Sequence, residues 1–334
     1  MRSLVIVIFL VMLPWWVKAQ QKSYYSQYMA NNYLLNPAIT GIEDYTDISL
    51  GSRKQWVGID GAPFTTYLTV HHRLGGSVAR GRTGDAAKKT SSFGNDGRRV
   101  SNIRNSEPRH GVGGIIVYDK IGPFSRTEAS MSYAYHLPLS ADIKLASGVS
   151  AGLIQQSLDP DELNFRNDGD AADVGWNMFK PNLSLGLWLY ASNFYLGASG
   201  TQLFANTVDF DNIIDENNEL YNHYFLTAAY KFDVSYMVSI IPSVMTKWTQ
   251  PSPGTIDYNL KVIYDQRMWA GLSFRQNDSF AVMAGISVNP TWGVSYSYDY
   301  GISSLGKASS GSHEVVLSAR LFNMQKVLCP QNMW

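Results

Sequence analysis

Apolar and polar residues alternate with a period of two along most of the chain. In "NLSLGLWLYA", Leu183, Leu185, Leu187 and Leu189 fall on one face and Ser184, Gly186 and Trp188 on the other. In "TWGVSYSYDY", Trp292, Val294, Tyr296, Tyr298 and Tyr300 oppose Gly293, Ser295, Ser297 and Asp299. In "EVVLSARLF", Val315, Leu317, Ala319 and Leu321 oppose Glu314, Ser318 and Arg320. A strand sends successive side chains to opposite sides, so each segment predicts a strand with one apolar face. A soluble sandwich alternates in the same way. It would bury its aliphatic face and expose charge, whereas the second face here carries Gly, Ser, Thr and few charges, as expected of a narrow polar lumen.

The pattern predicts about fourteen strands of roughly ten residues, the length a tilted strand needs to cross a bilayer. Their spans are 46–56, 64–74, 110–119, 125–137, 142–157, 182–190, 194–202, 223–232, 236–248, 256–264, 268–275, 279–288, 291–300 and 314–322. The expected fold is all-β: a transmembrane antiparallel up-and-down β-barrel over 45–323, closed so that no strand edge faces lipid. Tight connections ("PLSA", "ASN", "DVS", "DQR", "NP") follow even strands, and long acidic stretches, 158–181 and 203–222, follow odd ones. Short periplasmic turns and longer outer loops then predict that both termini are periplasmic.

One connection departs from this rule. Residues 75–109 follow the second strand and are long, with eight basic residues against three acidic ones, a net charge of +5. Few of them can form a core, so a mobile periplasmic insertion is expected. Arg80, Arg82, Lys88, Lys89, Arg98 and Arg99 are candidates for salt-sensitive docking of periplasmic partners, and a merely tolerated insertion explains the composition equally well. The outer loops have the opposite sign: 159–173 holds six acids and one Arg, and 209–219 holds five acids. They can recruit Ca²⁺ or Mg²⁺, although neither has the ligand register of an EF-hand, and a solvated acidic surface is the simpler reading.

The head of the chain is of another kind. Arg2, the apolar run Leu4 to Leu13 and the small residue Ala19 have the layout of a secretory signal over 1–19, and the run is too short for a spanning helix. No Cys directly follows Ala19, which excludes a lipoprotein, and the lone Cys329 excludes an intrachain disulfide. Next comes "QYMANNYLLNPAITG". Residues 20–44 are expected to form a plug entering or capping the periplasmic mouth. In it about three helical turns carry Tyr28 and Leu35 on one stripe, and Asn36-Pro37 turns the chain into the first strand. Composition agrees with a membrane barrel, with 13% aromatic residues and only 16% charged ones against a usual ~25%. Net charge is zero, so nothing recommends nucleic acid as a partner.

"LLNPAITG", "RKQWVGIDGAPFT", "YDKIGPFS", "YAYHLPLS", "PNLSLGLWLYASNFYLGAS", "SYDY" and "GSHEVVLSARLF" together resemble the PorP/SprF family of outer-membrane proteins associated with type IX secretion and gliding. The resemblance runs from about Tyr24 to Phe322; the insertion at 75–109 and the tail 324–334 depart from it. It implies a component that supports export or surface retention of a cognate cargo or adhesin. The implied partners are secretion-machinery subunits and outer-membrane lipid, with no catalysis and no cofactor.

Among candidate residues, Trp56, Gly58, Gly61 and Pro63 read as a hairpin connection, with Trp56 ending a strand at the outer interface. Strand parity and closure set Arg53, Asp299 and Glu314 on neighbouring strands facing the lumen, with Arg275 within reach. Two carboxylates in a poorly solvated interior need such a cation. The six His have no metal-ligand spacing. His71-His72 and His313-Glu314 are adjacent strand residues, which diverge, so neither pair forms a metal or hydrolytic site. A passive porin or small-solute transporter is the competing function class.

Overall fold

Strands form where the period-two pattern runs. The computed structural model describes residues 25–75, 108–159, 176–204, 221–249, 252–303 and 309–323. The strands are β1 (Thr46–Lys54), β2 (Phe64–Leu74), β3 (Arg109–Ile121), β4 (Phe124–Pro138), β5 (Lys144–Leu158), β6 (Trp176–Tyr190) and β7 (Phe194–Thr201). They continue with β8 (His223–Tyr230), β9 (Phe232–Asp233), β10 (Val238–Thr249), β11 (Ser252–Tyr264) and β12 (Met268–Arg275). The last three are β13 (Ser279–Ser287), β14 (Trp292–Gly301) and β15 (Ser312–Leu321). Each pairs antiparallel with its neighbours, β15 returns to β1, and β10 joins β11, so the sheet closes. The two-residue β9 continues β8 past Lys231 along the same partner strand. The barrel therefore has fourteen staves.

Burial follows the alternation. On β1, Ser49, Gly51 and Arg53 are buried while Leu50, Ser52 and Lys54 are exposed. Met131, at the middle of β4, is 81% exposed, and Leu153, Leu185, Leu226 and Leu272 likewise face outward. Tyr118, Trp248 and Tyr300 stand toward one end of this apolar band and Phe232, Tyr264 and Trp292 toward the other, the girdle arrangement of membrane barrels. Among the described residues no helix is long and apolar enough to cross a membrane.

One mouth carries the tight connections at 139–143, 191–193, 234–237, 265–267 and 288–291 and is called the turn mouth; the other is the loop mouth. The plug occupies the lumen between them. Residues 25–42 are buried except Ala30 and Asn31, and they pack in two apolar clusters against Tyr67, Trp188, Tyr195, Met245 and Met283.

Three expectations need correction. The continuous helix does not form. Three short 3-10 turns, Ser26–Ala30, Asn32–Leu34 and Pro37–Ile39, replace it, broken at Asn31 (φ −144°, ψ 72°). Side chains fixed to wall partners, such as Asn31 Nδ2 on Thr69 Oγ1 at 3.0 Å, pull the backbone off a regular helical repeat. Of the two expected placements, entering or capping a mouth, the segment has the first and runs on through the lumen, with Ser26 beside Arg53 near the loop mouth and Asp44 beside Arg73 and Arg109 at the turn mouth. Tyr25 and Asn323, the first and last described residues, thus stand toward opposite mouths; 1–24 and 324–334 lie outside the described residues. β1 ends at Lys54, and Trp56 sits in the following turn at φ 49°. Arg109, counted with the basic insertion, begins β3 and is buried. Arg80, Arg82, Lys88, Lys89, Arg98, Arg99 and the acidic outer loops lie outside the described residues, apart from Asp159.

Candidate functional site: a plug latched inside the barrel

Near the loop mouth, the positions that face inward on β1, β14 and β15 converge. Arg53 Nη2 is 2.7 Å from Asp299 Oδ2, and Nη1 is 3.4 Å from Glu314 Oε2. Arg53 is 3% exposed and Glu314 0%. Each carboxylate takes further donors, as buried charge requires. Glu314 Oε1 accepts from Tyr67 Oη at 3.0 Å and Oε2 from Ser26 N at 2.8 Å. The Ser26 hydroxyl bridges the network, accepting from Arg53 Nη1 and donating to Asp299. Gln27 Nε2 donates to the Glu314 carbonyl at 3.0 Å, and Gln27 Oε1 accepts from Ser295 Oγ at 2.5 Å. A charged cluster on the wall thereby holds the first plug residues. Arg275 Nε and Nη2 bind Asp257 at 3.1 Å and Nη1 binds Asp278 at 3.2 Å, while Asp299 of the cluster attracts it electrostatically.

Deeper in the lumen, glycine sets the geometry. A Cβ on Gly186 would overlap Asn36, one on Gly148 would overlap Pro37 and Ala38, and one on Gly111 would overlap Thr40. These inward-facing positions on β6, β5 and β3 form the floor on which Asn36 to Thr40 lies. Asn36 is held three ways, with Nδ2 donating to the carbonyls of Leu187 (3.0 Å) and Ala198 (3.2 Å) and Oδ1 accepting from Ala38 N (2.9 Å). Asn36-Pro37 therefore anchors the plug, and the bend toward β1 comes later, at Gly41 (φ 69°). Tyr28 accepts from Asn259 Nδ2 at 2.6 Å, and Tyr33 Oη meets Ser132 Oγ at 2.5 Å.

At the turn mouth, two histidines that spacing alone left without a role hold the backbone of the bend. His136 Nε2 donates to the Thr40 carbonyl at 2.9 Å while Nδ1 accepts from Tyr190 Oη at 3.0 Å. His71 Nδ1 accepts from Gly41 N at 3.3 Å. Asp44 bridges Arg73 and Arg109, the latter at 3.4 Å. The plug is thus fixed at both ends and along its middle.

Trp56, Gly58, Gly61 and Pro63 lie outside the lumen in a connection with backbone bonds to two others. Gln55 N donates to Pro63 O (2.9 Å), Val57 N to Gly311 O (2.9 Å) and Gly122 N to Gly61 O (3.0 Å). Gly58 and Gly61 have φ of 96° and 70°, which explains both glycines. Among the described residues no group of three His, Cys, Asp or Glu could hold a metal.

A closed barrel with an apolar outer band, aromatic girdles and a lumen occupied by its own chain is a plugged membrane β-barrel of the outer-membrane type. The chain belongs to the family of type IX secretion system membrane proteins PorP/SprF, matched over residues 17–319. This is a secretion family, not an enzyme family. Among solved structures the chain is similar to the Ralstonia pickettii toluene transporter TbuX, at 9% identity and TM-score 0.48, covering 87% of this chain and 94% of that one. It is also similar to the P. putida toluene transporter TodX (10%, 0.47, 90% and 95%) and the Acinetobacter baumannii outer membrane protein Omp33 (10%, 0.46, 84% and 100%). No curated protein matches the chain significantly.

Two substitutions separate the latch from the floor. Arg53→Ala leaves Asp299 and Glu314 buried without their cation, a loss of about 3–5 kcal/mol for a broken buried pair. The temperature at which the folded band disappears on gel electrophoresis should fall clearly, and an unchanged temperature would contradict the latch. Gly148→Val fills the floor under Pro37 and Ala38. The barrel should remain heat-modifiable while protease gains access between Leu35 and Ile42; protection equal to wild type would contradict the seating.

Proposed function

We propose that this chain is a non-enzymatic outer-membrane component of the type IX secretion system, supporting export or surface attachment of a cognate cargo or adhesin while its own lumen stays shut. The plug is the observation that carries this reading. A diffusion porin or solute transporter works through a passage along the lumen, whereas here residues 25–42 lie across it, anchored at both mouths. In this reading the turn mouth faces the periplasm and the loop mouth the outside. Cargo meets the acidic loops, divalent cations such as Ca²⁺ or Mg²⁺ bridging where needed, and machinery subunits dock from the periplasmic side.

The purified full-length protein in a planar bilayer should pass little current. A stable, large open-channel current would favour the porin reading and overturn this one.

The segment between β2 and β3 leaves and re-enters the barrel at the turn mouth, next to the plug's own exit. Its basic residues, Arg80, Arg82, Lys88, Lys89, Arg98 and Arg99, are the proposed docking arm. Deleting 79–107 should leave the barrel heat-modifiable and inserted while reducing co-purification of periplasmic machinery subunits. Unchanged co-purification would reduce the segment to a tolerated insertion.

A further inference from the structure

One arrangement of three side chains occurs on the outer wall at both rims. At the loop mouth His313, the second residue of β15, lies opposite Tyr298 of β14 with the two rings 5.2 Å apart, and its Nδ1 is 2.6 Å from the hydroxyl of Tyr296. At the turn mouth His110, the second residue of β3, lies opposite Tyr135 of β4 with the rings 5.1 Å apart, and its Nδ1 is 2.7 Å from the hydroxyl of Tyr133. A valine, Val315 or Val112, is the next outward residue on each histidine's strand. A tyrosine hydroxyl that donates to Nδ1 leaves the ring proton on Nε2, so each ring turns an N–H donor to its surroundings. Tyrosine is favoured at the level of lipid headgroups, where that donor then stands.

The two rims differ in what stands on the histidine's other side. Lys54 of β1 is directly opposite His313 in register, so their Cα atoms are roughly 5 Å apart and both side chains point outward. His110 has Leu74 of β2 in the corresponding place. Phe64 lies beyond Lys54, on β2, and so bounds the His313–Lys54 pair from outside it. The loop-mouth arrangement is held firmly. Tyr298 donates to the Ser310 carbonyl at 3.2 Å and lies over Gly311, where a Cβ would come within 2.7 Å of the tyrosine. From this pair toward the middle of the wall, Val315, Leu317 and Leu50 expose aliphatic surface.

We propose that His313 and Lys54 together bind the phosphate of a lipid in the surrounding leaflet. The phosphate accepts from His313 Nε2–H and from the Lys54 ammonium, a charge-assisted contact, and an acyl chain runs along Val315, Leu317 and Leu50. Tyr296 fixes which way the imidazole faces, and the flexible lysine stem adjusts to the headgroup. His110, with the same two tyrosines but leucine in place of lysine, offers a donor without the charge and confers no preference for phosphate. The inference stands apart from the secretion role, because it rests on the outer wall and not on the plug.

The test uses full-length protein in neutral detergent, with phosphatidylglycerol or diphosphoryl lipid A added in competition with diacylglycerol and retained lipid counted by native mass spectrometry. Wild type should prefer at least one phosphate-bearing lipid. Lys54→Gln should lower that preference about tenfold, about 1.4 kcal/mol. His313→Leu should lower it as well, and His110→Leu should leave it unchanged. Heat-modifiability on gel electrophoresis checks that each variant is folded, and either His313→Leu or Lys54→Gln alone suffices should the other not fold. An equal preference in wild type and in the folded loop-mouth variants, or no preference for either phosphate-bearing lipid, overturns the proposal. So does an equal loss in His110→Leu, which would make the effect general to the girdle. Full displacement by inorganic phosphate would mean that the pair holds a free anion only, and overturns it too.

Discussion

The arrangement depends on burying opposite charges inside a membrane barrel without leaving any unmatched. Asp299 and Glu314 face the lumen on adjacent strands, and in so poorly solvated a space their repulsion is tolerable only with a cation between them. Arg53 supplies it across the β1–β15 seam, where the last strand closes on the first. Tyr67 and Ser26 and Gln27 of the plug bring further hydrogen bonds to the cluster. Barrel closure and plug seating therefore share one network.

The plug solves a second problem. A lumen lined by small residues would leave many wall groups facing bulk water or each other, and a segment of alternating polar and aromatic residues fills it as a core. Tyr33 reaches Ser132, Tyr28 reaches Asn259, and Asn36 takes two wall carbonyls. The floor glycines permit this approach, since any side chain at Gly148 or Gly186 would occupy the plug's volume. Filling of the lumen and stability then come from the same contacts.

Much of this was legible in the chain because a strand's period is fixed by covalent geometry. The limits of β2 and β12 read from alternation coincide with those of the structure, and so do the fold class and the strand number. The inward direction of Arg53, Asp299 and Glu314 follows from parity plus closure. What failed had physical reasons. The expectation for Arg275 was incomplete: Asp299 attracts it electrostatically, but Asp257 lies directly opposite it in register and holds it by hydrogen bonds. The plug's local propensity suggested a helix, yet its conformation is dictated by wall partners far away in sequence. His71 and His136 looked inert because hydrogen bonding to a plug backbone leaves no spacing signal. The floor glycines carried a readable sign, since Gly111, Gly148 and Gly186 all sit at inward-facing strand positions where glycine weakens a strand unless another backbone comes close.

Amide hydrogen exchange in the intact, bilayer-embedded protein tests most directly whether the plug is a built part of the barrel. If the two latches and the glycine floor hold it, peptides covering Ser26 to Ile42 exchange as slowly as those from the central strands β4 and β5. Complete exchange of that segment within seconds, as for a free tail, would contradict the account.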